Sequence, residues 1–237
     1  MTYVEGFLSP VPLANKEAYI AHARQATPVL RDLGVVRIVE AWGDDVPRGK
    51  VNDMWMAVDA REDETVVFSW FEYPDRATRD ATVGKLMNDP RLAGMMDAVP
   101  FDTQRMVWGG FESVSEAGEA CAPGYVDGVV LPLKADRCDE YAGFAAATTA
   151  TFLDHGALRI LDSVADDVAA GEVTDFLRAV NVEDGEIPAF GWVEWPDKPT
   201  RDAGWGKIMD DPRLADRVPP FDGERMIFGG FSTIVDA

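Results

Sequence analysis

The sequence predicts an α+β fold in which two copies of one split βαβ domain lay their antiparallel sheets face to face around a shared interior. Three observations carry this. First, the 237-residue chain repeats itself: Tyr3-Val4-Glu5-Gly6 returns as Tyr125-Val126-Asp127-Gly128, and Met106-Val107-Trp108-Gly109-Gly110-Phe111 as Met226-Ile227-Phe228-Gly229-Gly230-Phe231. Second, Trp70/Trp192, Arg79-Asp80/Arg201-Asp202 and Asp89-Pro90-Arg91-Leu92/Asp211-Pro212-Arg213-Leu214 keep the same order between those ends. Third, each copy reads strand, helix, strand, strand, helix, strand, which puts both helices on one sheet face and leaves the other bare. The second copy is the available cover, and two facing sheets form a closed eight-stranded barrel that is either filled by side chains or holds one ligand. The expected domains are 1–114 and 125–237, joined by a linker at 115–124.

Within the first copy, Tyr3 to Pro10 is short, β-rich and ended by proline, a first strand. Asn15 is the expected N-cap of a helix from Lys16 to Leu33, with Tyr19, Ala23, Ala26 and Leu30 at helical spacing and Gly34 as the stop. Val35–Trp42, Val66–Tyr73 and Met106–Val114 are the remaining strands, the last carrying Gly109-Gly110 as a bulge or a close backbone approach. Asp75 caps a helix from Arg76 to Met87 that Asp89-Pro90 terminates. Its counterpart starts at Asp197, with Pro199 in the first turn. Ala57–Ala60 is a further candidate strand.

Composition narrows function. Asp and Glu number 42 against 22 Lys and Arg, and the formal charge of −20 repels phosphate backbones and anionic lipid head groups. Neither nucleic acid nor membrane is therefore expected as a partner. Met1 to Glu5 lacks a basic region followed by an apolar run, so a cytoplasmic location is expected. Cys121 and Cys138 occupy non-equivalent positions without ligand spacing and read as free thiols. No cofactor motif is visible, and no metal site is expected: His22 and His155 are not equivalent, and Asp44-Asp45 and Asp166-Asp167 read as solvated turns.

Tyr3-Val4-Glu5-Gly6-Phe7, Val39-Glu40-Ala41-Trp42-Gly43-Asp44-Asp45-Val46-Pro47, Val66 to Pro74, Asp89-Pro90-Arg91 and Pro100-Phe101-Asp102 together resemble the YbaA-like family of unknown function. The likeness continues in copy two through His155 to Arg159, Val173 to Phe176, Phe190 to Pro196 and Pro220 to Gly223. Copy two departs at Val164-Ala165 and copy one at Leu33 to Val36, so neither copy is complete. The resemblance implies two ferredoxin-like (βαββαβ) repeats forming an intramolecular version of the dimeric α/β barrel. That superfamily hosts cofactor-free monooxygenases, haem enzymes, isomerases and plain binders, among which fold alone does not choose.

Period-two spacing sets Val36, Ile38, Glu40 and Trp42 on one strand face, matched by Leu158, Ile160, Asp162 and Val164. If that face looks into the barrel, desolvation raises the carboxyl pKa and makes Glu40 or Asp162 a general acid or base; a solvated or arginine-paired acid is the alternative. Glu72 and Glu194 follow Trp70 and Trp192 at the same period and complete the catalytic candidates. Arg37 and Arg159 point the opposite way from Glu40 and Asp162, to guide an anion or to serve the sheet structurally. Trp42, Trp70 and Trp192 are candidates to line a pocket for a flat ligand, with an ordinary core role as the alternative.

The leading functional expectation is a small-molecule enzyme of the cofactor-free monooxygenase or isomerase type using acids in the barrel interior. The alternatives are a non-catalytic binder and a structural or interaction protein with a filled barrel. The chain is expected as a monomeric pseudo-dimer whose outer helices are free to support a homodimer.

Overall fold

The computed structural model describes residues 2–86, 88–93, 95, 99–215 and 217–237. The first repeat comprises β1 (Tyr3–Pro12), α1 (Lys16–Leu33), β2 (Arg37–Asp45), α2 (Met54–Ala57), β3 (Glu64–Tyr73), α3 (Arg76–Leu86), α4 (Pro90–Ala93) and β4 (Val107–Gly118). The second comprises β5 (Tyr125–Lys134), α5 (Cys138–Asp154), β6 (Arg159–Asp167), α6 (Phe176–Ala179), β7 (Glu186–Trp195), α7 (Lys198–Met209) and β8 (Ile227–Asp236). The strands close into one antiparallel barrel in the order β1-β3-β2-β8-β5-β7-β6-β4. The seams between repeats are the β2–β8 and β4–β6 pairs.

Caps and turns set the boundaries. Asp75 accepts from the Thr78 backbone N–H at 2.7 Å and Asp197 from that of Thr200 at 2.8 Å, as their positions before the helices require. Gly34, at φ +124, returns its N–H to Arg31 and Leu30 carbonyls and ends α1. Asn15 does not cap α1, because a 3₁₀ turn at Leu13–Asn15 leads straight into the helix; its side chain donates to Pro100 O at 2.8 Å instead. The expected helix end at Met87 lies outside the described residues. The second strand starts later than expected, and β4 continues through Ser115–Gly118 by pairing with β6, so those residues are sheet and not linker.

The expected strand at Ala57–Ala60 is instead the end of α2 and a turn with Asp59 at φ +47. Asp53 caps α2 by accepting from Met56 N, and the apolar Met54, Ala57 and Val58 turn into the barrel end. Asp175 and α6 do the same with Phe176, Ala179 and Val180, so two short helices plug one end of the barrel. The carboxylates read as solvated turns also have structural work. Asp44 and Asp45 bond Tyr125, Lys198 and Arg201 of the second repeat, while Asp166 and Asp167 bond Tyr3, Arg76 and Arg79 of the first. Arg79 also contacts its neighbour Asp80 at 3.2 Å.

The interior is full. Phe68 stacks on Phe190 with centroids 4.7 Å apart and 3° between planes, and Trp70 lies on Trp192 at 4.2 Å. Phe231 and Phe111 pack beside them at 5.3 and 5.2 Å. Two glycines make room: a Cβ on Gly128 would fall 2.5 Å from the Phe68 ring, and one on Gly6 would fall 2.9 Å from Phe190. The Gly109-Gly110 pair serves both expected purposes, since the β4–β6 register shifts after Gly110 and the Tyr3 ring crosses it closely. Trp70 and Trp192 therefore lie in the core, where six aromatic rings from both repeats pack together.

Truncating this stack leaves a void that its neighbours on closed strands cannot collapse into. Phe190→Ala is expected to lower unfolding free energy by about 3–5 kcal/mol in urea denaturation. Gly128→Ala is expected to destabilise as well, although it adds only a methyl group.

Candidate functional site

At the barrel end opposite α2 and α6, four charged side chains cross between the repeats. Arg37 holds Glu194 through two bonds of 2.8 and 2.9 Å, and Arg159 holds Glu72 through two of 2.7 and 2.9 Å. Trp70 and Trp192 each donate from Nε1 to the glutamate two residues on, at 2.9 Å. Asp236 and Glu116 take the remaining Arg37 and Arg159 donors at the rim. Burial opposes charge on both arginines, but these bonds outweigh it and hold both guanidinium pKa values above the ordinary one. Glu72 and Glu194 face inward, and each is gripped bidentately by an arginine of the other repeat. Arg37 and Arg159 are equally committed, leaving no open fork for an anion.

Glu40 lies elsewhere. The odd-numbered β2 residues Val39 and Ala41 face the interior, so Ile38, Glu40 and Trp42 face the helix layer, not the barrel lumen. Trp42 packs there against Tyr19, at 6.5 Å, and lines no part of the nearby cavity. That cavity, of about 130 Å³, lies between α1 and the outer sheet face. Phe7, Ala26, Leu30, Ile38, Phe71 and Phe101 are among its apolar walls, and Ser9, Tyr19, His22, Glu40 and Ser69 contribute its polar groups.

The register of β2 on β3 puts Ser69 directly opposite Glu40, while α1 delivers Tyr19 from above. Tyr19 donates to Glu40 Oε2 at 2.7 Å, and the Ser69 hydroxyl donates to the same oxygen. Among the described residues Glu40 has no ion-pair partner, and its Oε1 accepts no hydrogen bond. Burial pushes its carboxyl up from the ordinary value despite these two bonds, and it pushes the Tyr19 phenol well up too. Burial holds the His22 imidazole below its ordinary value. An uncompensated acid beside an apolar cavity holds its proton to higher pH than an exposed one and can give or take one.

The second repeat keeps only half of this. Tyr141 donates to Asp162 at 2.8 Å, and burial lifts Asp162 to about 6. Phe144 stands where repeat one has His22, Gly191 where it has Ser69, and Val193 where it has Phe71. Phe144 and Tyr141 both meet Phe221 edge to face, at 6.0 and 6.1 Å. Asp162 thus faces the helix side like Glu40, not the lumen. Sequence reasoning found Glu40 and Asp162 but treated Tyr19 as helix core and passed over Ser69, His22 and Phe101 as site residues. The usable signal was the paired loss of His22 and Ser69 between the copies.

Because folding raises the Asp162 pKa, the native state retains a proton that the unfolded chain releases. Stability therefore falls as pH rises from the ordinary carboxylate range to about 6. Asp162→Asn removes this loss. The variant is expected to gain on the parent between pH 4 and pH 7 by up to about 1.4 kcal/mol per pH unit of that window, read from urea denaturation at several pH values. At the barrel end the expectation is opposite in kind: Glu194→Gln is expected to cost about 1–3 kcal/mol by removing one of the carboxylate partners of Arg37, which keeps Asp236 at the rim.

Known proteins give the chain a family. The model of a family described as a protein of unknown function (DUF1428) matches residues 2–103 and 124–223, one match per repeat. The uncharacterized protein YbaA of Escherichia coli K12 is 51% identical over 114 residues, covering 48% of this chain and 97% of that protein; YbaA of Shigella flexneri matches equally. Among solved structures, a presumed monooxygenase from Lactobacillus acidophilus superposes with a TM-score of 0.60 at 10% identity, covering 100% of this chain and 96% of that one. Another from Fusobacterium nucleatum gives 0.62 at 11% identity, covering 99% and 93%. These two likenesses establish the barrel fold shared across whole chains, and the two family matches, which together span most of the sequence, establish descent: the chain belongs to the DUF1428 family.

Proposed function

We propose that this protein is a small-molecule enzyme whose site is the cavity under α1 in the first repeat, with Glu40 as the acid–base group. The observation that carries this is the state of Glu40: buried, without a counter-cation among the described residues, anchored at Oε2 by Tyr19 and Ser69, and with Oε1 left for a ligand at the cavity wall. The apolar walls and the absence of a neighbouring cation favour an uncharged ligand with one polar group. Size limits it further. A dry apolar cavity of about 150 Å³ accepts benzene, so the space here suits a single ring or its aliphatic equivalent. Glu40 would protonate the ligand's polar oxygen and recover the proton after rearrangement, with Tyr19 and Ser69 holding the carboxyl in place. The fold is shared with proteins presumed to be monooxygenases, which supports small-molecule chemistry on such a barrel, but the choice of acid–base chemistry rests on Glu40.

One observation favours a second reading. The acid–tyrosine bond recurs as Asp162–Tyr141, where phenylalanine and aliphatic side chains fill the corresponding space, so the bond by itself is a clamp between helix and sheet. The two readings differ in what Ser69, His22 and the cavity are for.

A thermal-shift screen of single-ring phenols, enols and ketones separates them. Ligand at about a hundred times its dissociation constant is expected to add roughly 2.7 kcal/mol and raise the midpoint by about 5 to 10 °C. Ala26→Leu, which fills the cavity, is expected to remove the shift. Glu40→Gln is expected to keep binding within a few-fold and to lower turnover of the hit, followed by mass spectrometry, about 10²-fold or more. Binding with unchanged turnover in Glu40→Gln overturns the catalytic assignment, and no stabilising ligand at all leaves the clamp.

A further inference from the structure

The plugged end of the barrel carries an exposed apolar strip. Trp108 and Val173 border one surface groove, Val173, Val51 and Met56 a second, and Val51 and Phe228 a third. All five side chains are exposed, so they follow one another across the axis that relates the repeats. Trp108 and Phe228 are equivalent positions in the duplication, as are Val51 and Val173. A contiguous apolar strip of this kind on a soluble protein marks an interaction site.

Its two ends match in shape and differ in charge. Lys50 in the first repeat corresponds to Glu172 in the second, and Arg48 corresponds to Ala170. At the Phe228 end, Arg48 and Lys50 are exposed beside one exposed acid, Glu224. At the Trp108 end, Glu172 is exposed, Asp167 is already bonded to Arg79, and the exposed Arg178 is held by Asp175 at 3.0 Å and by Gly171 O at 2.8 Å. The capping carboxylates Asp53 and Asp175 are both buried, Asp53 on the backbone N–H groups of Gly49 and Met56 and Asp175 with Arg178 as its counter-ion. Among the described residues, the exposed charges not held in ion pairs are thus Arg48 and Lys50 against Glu224 at one end and Glu172 at the other, which makes the strip complementary to its own reverse.

We propose that this strip is the interface of a homodimer in which two copies meet plugged end to plugged end about a two-fold axis lying across the strip. That rotation brings the Phe228 end of one copy onto the Trp108 end of the other and sets Lys50 against the partner's Glu172. Rotation about the strip's own direction would instead oppose like charges, so the charge pattern selects the first arrangement. The interface uses neither the cavity under α1 nor the outer faces of α1 and α5, and it stands whether or not the chain is an enzyme.

Size-exclusion chromatography with light scattering tests it on the full chain. Twice the monomer mass is expected at about 100 µM, with dissociation on dilution. Lys50→Glu and Glu172→Lys are each expected to weaken the dimer about tenfold or more, and the double exchange to restore it to within a few-fold of the parent. Phe228→Asp is expected to give monomer with an unchanged far-ultraviolet circular dichroism spectrum, since the side chain is exposed. Monomer mass for the parent at that concentration overturns the proposal, and so does a double exchange no tighter than the single variants.

Discussion

The crossed pairs Arg37–Glu194 and Arg159–Glu72 are the constraint on which the arrangement of the two repeats depends. Each arginine starts a second strand of its own repeat and grips the glutamate ending the third strand of the other. Both bonds can form only in one relative placement of the sheets. Burying four charges adds little net stability, because desolvation offsets most of the attraction; what it supplies is a heavy penalty for any packing in which one charge loses its partner. The stabilising work lies just below. The indole N–H groups of Trp70 and Trp192 bond the same glutamates, so the cluster orients the rings whose stacking fills the barrel. Polar specificity and apolar burial are linked here through two shared side chains.

Filling the lumen from both repeats fixes where chemistry is possible. With Arg37, Val39 and Ala41 facing the lumen, alternation along β2 sends Glu40 outward under α1. The strand face bearing Glu40 was therefore legible from the sequence, and the side of the sheet it looks toward was not. Val36, Ile38 and Trp42 are as apolar as the inward set, since both sheet faces are covered, one by helices and one by the other sheet. In such a two-sided sheet, hydrophobic alternation loses the contrast that would distinguish in from out.

The duplication itself, the strand and helix order and the barrel could all be read, because repeated motifs and proline, glycine and aspartate boundaries are local signals. The plug was missed for the converse reason. Met54-Trp55-Met56-Ala57 has no periodicity over so short a span, and its helix exists because Asp53 caps it and the barrel end accepts Met54 and Ala57. The crossed ion pairs were equally beyond reach: Arg37 and Glu194 are far apart in sequence, and only the β2–β3 and β6–β7 registers, repeated across the pseudo-symmetry axis, bring them together. Ser69 shows the same limit at one residue's scale. It sits between Phe68 and Trp70 as an ordinary alternating polar position until pairing sets it opposite Glu40.

Fusing two subunits into one chain removes the requirement that both halves do the same thing. In a symmetric dimer, replacing His22 by phenylalanine and Ser69 by glycine would alter both sites at once. Here the second repeat carries those residues as Phe144 and Gly191, with Val193 for Phe71, while the first keeps its cavity. What is retained in the second repeat is what the barrel needs: its stacked rings, its half of the crossed pairs, its plug helix and the Tyr141–Asp162 bond. The changes at His22, Ser69 and Phe71 lie outside the lumen, in the layer between helix and sheet, where a change in one repeat is not felt by the other. The barrel core is shared and constrains both halves together; the layer beneath each helix is private, and that is the physical reason the first repeat can keep a cavity whose residues have changed in the second.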